Sequence, residues 1–134
     1  MIGIDTNVLL RMLVRDDEAQ GRAAEHFLET HCSLEEPGFV SRIVIAELAW
    51  VLRDIYEYDR HQIANAVRAL LDTSALEVDA EREVEAAVKD FQTSPAGFTD
   101  CLIARLDETA GCRHTITFDR KAAKLPGFKL LPIA

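Results

Sequence analysis

A chain of 134 residues, 49% hydrophobic and 28% charged, has the balance of a globular protein rather than of a disordered or fibrous one. At this length a single domain over residues 1–134 is expected, burying roughly two thirds of the surface that its unfolded chain exposes. No apolar run reaches membrane-spanning length and the start lacks the basic-then-apolar layout of a secretory signal, so a cytoplasmic protein without membrane association is expected. The formal net charge of −8 argues at first sight against a polyanionic partner.

Taken in chain order, Ile2 to Ile4 reads as a buried strand. A short helix over Thr6 to Val14 follows at once, and a second helix, opened by acids, covers Asp16 to His31. Glu36-Pro37-Gly38 is a turn before a short strand at Phe39-Val40, and Ser41 is placed to cap the apolar helix IVIAELAWVL. A helix from Asp59 or Arg60 to Leu71 carries Ile63, Val67, Leu70 and Leu71 on one face. Ala75 to Val78 is a strand, and Glu81 to Gln92 is a helix with Val84, Ala87, Val88 and Phe91 as its inward stripe. After Ser94-Pro95-Ala96-Gly97 a helix runs from about Thr99 to Ala110 and stops at Gly111. His114 to Phe118 is a strand, Arg120 to Leu125 a short helix, and Lys129 to Leu131 a last strand beyond the turn at Pro126-Gly127. Strands alternating with helices give an α/β fold whose mostly parallel sheet is covered on both faces.

Cys32, Cys101 and Cys112 are odd in number and form no CxxC pair, so reduced core cysteines are expected instead of a disulfide framework or a thiolate zinc site. His26, His31, His61 and His114 are scattered, without metal-ligand spacing. The negative charge is unevenly spread. From Arg113 to the end, Arg113, Arg120, Lys121, Lys124 and Lys129 face the single acid Asp119, a local net charge of +4 that leaves −12 for the rest. Such a basic tail is either a solvated face or a place for phosphates.

Four acids stand where plain structural needs explain them least. Asp5 and Asp119 each follow a strand directly, and the crevice of an open parallel sheet lies outside the carboxyl ends of its strands. An aspartate between strand and helix is also a good N-cap, so each is a cap or a site. Glu47 is the only charge between Ile43 and Leu52, with Ile43, Val44, Trp50 and Val51 at helical spacing. That pattern places it inside the apolar stripe, where it pairs with a distant arginine or lines a polar cleft, the cleft being favoured. Asp100 falls in the first turn of its helix, where the macrodipole alone would explain it. If the four carboxylates converge, their repulsion calls for a divalent cation. Oxygen donors without His or Cys point to Mg²⁺ or Mn²⁺, and such a site suits phosphodiester hydrolysis.

The segments IDTNVLL, VIAELAWVL, FTDCLIA and TITFDRKAAKL, in that order and over nearly the whole chain, resemble the signature segments of the PIN-domain ribonucleases, most closely the VapC-type toxins of bacterial and archaeal toxin–antitoxin pairs. The resemblance implies a three-layer α/β/α fold with a parallel central sheet and Mg²⁺- or Mn²⁺-dependent endonucleolytic cleavage of RNA. It matches Asp5, Glu47, Asp100 and Asp119 to the family's acidic quartet. Asp5 and Asp100 would be the main metal ligands, Asp119 would assist directly or through water, and Glu47 would position or deprotonate the attacking water. Thr6, Asn7 and Thr117 match polar positions that support the acids. The family further implies a homodimer and a small antitoxin that inhibits it. Arg120, Lys121 and Lys124, just beyond Asp119, would meet the RNA backbone. Trp50, Ile55, Tyr56 and Tyr58 are divided between core packing and contact with such partners.

Other folds gather acids at strand ends. A dehalogenase-like small-molecule phosphohydrolase wants a second Asp two positions after the first, where this chain has Asn7. A receiver-type signalling domain wants paired acids after its first strand, and Asp5-Thr6-Asn7 lacks the pair. A non-catalytic PIN-like RNA-binding module shares every feature except activity, and the intact quartet speaks against it.

Overall fold

Three short parallel strands, β1 (Ile2–Gly3), β2 (Gly38–Val40) and β3 (Leu76–Val78), organise the first half of the chain in the computed structural model, which describes residues 1–133. The chain divides into two compact units, Met1–Glu81 and Arg82–Ala134. In the first unit the strand order is β1-β2-β3, with Ile2 opposite Gly38 and Gly38 opposite Leu76. Gly38 is tightly enclosed there, because a Cβ would come within 3.0 Å of Ile4 Cγ1 and 3.2 Å of Leu76 Cδ2, and those side chains would have to shift to admit one.

Helices α1 (Thr6–Val14), α2 (Glu18–His31), α3 (Arg42–Asp54) and α4 (Arg60–Leu71) complete this unit. Their starts follow from capping. Ser41 Oγ accepts from Val44 N–H, and Asp59 forms a capping box with Gln62. The second helix begins two residues later than its acids suggest, because Asp17 is itself the cap and accepts from Gln20 N–H at 3.0 Å. α1 packs on α2 and α3, α3 on α4, and α4 on β3. Leu9, Val40, Ile45, Leu48, Leu52 and Val67 are fully buried among them. The close approach of α2 to α1 depends on Gly21, whose Cβ would lie 3.0 Å from the Arg11 carbonyl oxygen. The expected burial of the first strand does not hold. Ile2 is 43% exposed and only Ile4, one residue past the strand, is buried.

The second unit carries most of α5 (Glu81–Thr93), then α6 (Phe98–Thr109), and the parallel pair β4 (Thr115–Thr117) and β5 (Phe128–Leu130). Val84, Ala87, Val88 and Phe91 are buried as the periodicity requires, and Phe91 meets Phe98 edge-on at 5.8 Å. Arg105 of α6 holds Asp90 of α5 through Nε at 2.7 Å and Nη2 at 3.0 Å. Gly111, with φ of 95°, ends α6 as expected. The short helix expected over Arg120 to Leu125 is a 3₁₀ turn, Ala122–Lys124. Pro126 biases Leu125 towards extended backbone, leaving too few residues for a stable α-helix. Among the described residues, hydrogen bonding gives two parallel sheets, of three and two strands. Cys32 and Cys101 are buried as expected, whereas Cys112 is exposed because it lies in the turn after α6.

Candidate active site

In the first unit Asp5 sits between β1 and α1. Its Oδ1 accepts from Thr6 N–H at 2.9 Å, and its carbonyl accepts from Val8 and Leu9 N–H. A capping side chain ordinarily reaches the second or third N–H of the helix. Asp5 reaches only the first, so it caps weakly, and the outer carboxylate oxygen has no partner within the unit. Thr6 is only 4% exposed, and its hydroxyl oxygen is buried with no hydrogen-bond partner. Burying an unsatisfied hydroxyl costs about 1–3 kcal/mol, so a buried orphan beside an exposed carboxylate marks a place shaped for a further ligand or its water. Asn7 is exposed, with its side-chain amide unengaged.

Glu47 departs from its expected environment. The buried stripe of α3 is Ile45, Leu48, Ala49 and Leu52, the set that a 3.6-residue period places on one face. Glu47 lies off that face with Ile43, 76% exposed, and Trp50, 50% exposed. It is exposed, with no arginine or donor engaging it within the unit. Two apolar stripes run along α3, and the run of hydrophobic letters hides which one faces inward. Ile55 is exposed as well, while Tyr56 and Tyr58 are half-buried.

In the second unit Asp100 is half-buried in the first turn of α6, whose N-cap, Gly97, contributes no side-chain bond. Asp119 follows β4 and caps the 3₁₀ turn. Its Oδ1 accepts from Lys121 N–H at 2.8 Å and Ala122 N–H at 3.1 Å, and its own N–H donates to Thr117 Oγ1 at 3.0 Å. Asp119 is therefore a cap through one oxygen, and Thr117 fixes the backbone that presents it. Its second oxygen has no partner within the unit. Arg113, Arg120, Lys121, Lys124 and Lys129 are exposed, and their side chains form no ion pair among the described residues.

Among the described residues no three His, Cys, Asp or Glu side chains gather closely enough to hold a metal ion between them. Asp5 and Glu47 belong to the first unit, Asp100 and Asp119 to the second. The donor chemistry nevertheless fits Mg²⁺ or Mn²⁺. Every candidate is a hard oxygen, Asp5 and Asp119 each keep one uncommitted, and Mg²⁺ habitually takes one or two carboxylates with waters and substrate phosphates instead of a complete protein cage.

A set of residues with no signal in the sequence lies one helical turn from Asn7. Arg11 Nε donates to Gln20 Oε1 at 2.6 Å and Arg11 Nη1 to Asp16 Oδ1 at 3.0 Å, while the Tyr56 hydroxyl donates to Asp16 Oδ2 at 2.8 Å. The Tyr56 hydroxyl, with Arg11 beside it, holds the Asp16 carboxyl below its ordinary range. This network ties the end of α1 to the start of α2 and to the loop after α3.

The sequence model described as the PIN domain matches residues 2–127. The chain is 30% identical over 126 residues to a VapC ribonuclease of Aquifex aeolicus, which covers 94% of this chain and 92% of that protein. It is also 34% identical over 85 residues to ribose-phosphate pyrophosphokinase 2 of Saccharomyces cerevisiae, covering 57% of this chain but only 27% of that much longer protein.

Proposed function

We propose, from the premise that this chain belongs to the PIN-domain family and is a relative of VapC ribonucleases, that it is a metal-dependent endoribonuclease acting as the toxin of a type II toxin–antitoxin module. One structural observation supports this most directly: Asp5 and Asp119, each following a parallel strand, commit one carboxylate oxygen to backbone N–H groups and leave the other uncommitted. Backbone donors orient the carboxylates without cancelling their charge.

Asp5 and Asp100 are the main ligands in this reading, with Asp119 assisting directly or through water. Mg²⁺ or Mn²⁺ bound there supplies Lewis-acid polarisation of the phosphate and a lowered pKa for water. Glu47, exposed and without a cation beside it, receives the proton of the attacking water. Thr6 offers its buried hydroxyl next to Asp5, Asn7 its amide, and Thr117 the bond that sets Asp119. Arg120, Lys121 and Lys124 hold the RNA backbone, a task for which their lack of ion pairs leaves them available. The partners are an RNA substrate, a small cognate antitoxin and a second copy of the chain, with Ile43, Trp50 and Ile55 offering exposed apolar surface. A cytoplasmic setting belongs to the same proposal. No helix among the described residues is long and apolar enough to cross a membrane.

The test is incubation of the purified protein with structured and unstructured RNAs in Mg²⁺, in Mn²⁺ and in chelator. Cleavage is expected only with metal, and is expected to be abolished in Asp5→Asn and Asp100→Asn with the fold intact by circular dichroism. Cleavage that survives chelator or both substitutions rejects the mechanism.

A further inference from the structure

A groove of about 630 Å³ opens in the first unit where β1, α1 and α2 meet. Ile2 and Gly3 form its strand wall, Val8 belongs to α1, and Ala23 and Phe27 to α2. Asp5 and Asn7 also line it, as do Arg11 farther along α1 and Gln20 in the first turn of α2. We propose that this groove is a subsite for an unpaired nucleobase of the RNA, adjoining the phosphate at which Asp5 acts. The proposal rests on the ribonuclease reading and adds to it a substrate class, RNA presenting an unstacked base.

Three observations favour a base over other occupants. The first is charge. Arg11, the one cation among its lining residues, is already held by Asp16 at 3.0 Å, and Asp5 adds a negative charge at its edge, so the groove offers a phosphate little. The second is the placement of neutral hydrogen-bonding groups on otherwise apolar walls. Gln20 gives Oε1 to Arg11 and retains its amide N–H groups, and Asn7 retains its whole amide. Base edges carry both donors and acceptors, and primary amides match them. The third is the aromatic wall. The Phe27 ring lies 4.8 Å from the His31 ring, tilted by 38°, which braces it in the half-buried position where it lines the groove. Single-stranded nucleic acids are bound by laying bases on such rings.

The groove also has suitable room and a suitable edge. Its volume lies in the range of small-ligand sites, about 300–1,000 Å³, and a Cβ placed on Gly3 would meet no atom within 4 Å, so the strand wall is open. A polypeptide partner adding a strand here would find only Ile2–Gly3 to pair with, a short edge for that mode of recognition.

The test reads binding without turnover. Wild type, Ala23→Trp and Gln20→Ala, all in chelator, are titrated by fluorescence anisotropy with a labelled 2′-O-methyl hexanucleotide and with the same strand made abasic at its centre. Ala23 is exposed on α2, so tryptophan there fills the groove without disturbing the core. Wild type should bind the base-bearing strand at least about tenfold more tightly than the abasic strand, within the range that one base stacked on an aromatic ring supplies. Ala23→Trp should bind both strands equally, and Gln20→Ala should keep the preference for a base while narrowing the difference among the four bases. Equal binding of the two strands by wild type overturns the proposal, as does a preference that survives Ala23→Trp. So does an Ala23→Trp protein that binds RNA as wild type does but no longer holds a co-expressed protein partner. Cleavage assays run in parallel keep the two readings apart. RNA cut without base preference removes the subsite and spares the nuclease, whereas base preference without any cleavage removes the nuclease and leaves a base-binding groove.

Discussion

Replacing Asp119 separates a cap from a catalytic acid, because the structure gives its two oxygens different work. Oδ1 takes the Lys121 and Ala122 N–H groups at 2.8 and 3.1 Å, and the other oxygen takes nothing within its unit. Asp119→Ala removes both capping bonds. Loss of an N-cap costs about 0.5–2 kcal/mol, and an exposed cap on a single 3₁₀ turn belongs in the lower half of that range, about 0.5–1 kcal/mol. For a chain of this length that lowers Tm by about 2–4 °C. Asp119→Asn keeps a side-chain oxygen where Oδ1 stands and should cost only a few tenths of a kcal/mol, but it removes the charge. Thermal scans in chelator, paired with RNA cleavage in Mg²⁺, are expected to show both variants inactive and only the alanine variant measurably less stable. An asparagine variant that cleaves RNA like wild type would reduce Asp119 to a cap and refute its part in the chemistry. An alanine variant with unchanged Tm would refute the energetic weight given to the two bonds.

Glu47→Gln should leave stability within about 0.5 kcal/mol, as for other surface changes, while lowering kcat by about 10²–10⁴-fold if Glu47 is the general base; a loss of several kcal/mol in a denaturant titration would instead mean a buried partner. Neutralising Lys121 and Lys124 together should weaken RNA binding and flatten its salt dependence by about 0.7 in log–log slope for each phosphate left without its cation, and an unchanged slope would return the basic tail to a solvated face. Tyr56→Phe removes the largest cause of the depressed Asp16 pKa. A carboxyl whose folded pKa lies below its unfolded value adds stability that is present above the unfolded pKa and is lost as pH falls through the folded one. The stability gap between wild type and Tyr56→Phe, measured by denaturant unfolding, should therefore be widest near neutrality and narrow below about pH 4; a gap that does not change with pH would refute the linkage.

Helix positions are readable in the sequence wherever a cap announces them, as at Ser41, Asp59 and Gly111. The shift of α2 from Asp16 to Glu18 shows the limit. Asp16 and Asp17 look alike as letters, and only the bond from Gln20 N–H to Asp17 identifies the cap, while Asp16 turns to Arg11 and Tyr56. Isolation among apolar residues singles out Glu47 but implies the wrong surroundings, since α3 carries apolar residues on both its buried and its exposed faces. Hydropathy puts Ile2 in the core as it does Leu76 and Val78, and nothing in the letters tells the half-exposed strand from the buried one. The groove beside Asp5 leaves no mark, because Gln20 and Phe27 are ordinary helix residues until α1 is laid against them.

The arginines of this chain suggest how structural acids are told from chemical ones. Asp16 is held by Arg11, Glu25 by Arg15, Asp79 by Arg42, Asp54 by Arg53 and Asp90 by Arg105. Where those pairs shift a carboxyl, at Asp16, Asp54 and Asp79, hydrogen bonding and the nearby guanidinium favour its charged form, and each such acid is neutralised where it stands. A cation arriving from solution gains little from an acid that already has one. Asp5 and Asp119 are positioned instead by backbone N–H groups, and Glu47 by its place on α3, with no arginine or lysine on any of the three within its own unit. The net charge of −8 already counts these arginines, so what bears on RNA is where charge is left unpaired. Three of the four candidate acids keep theirs available for a metal, and the basic residues beyond Asp119 keep theirs available for phosphate.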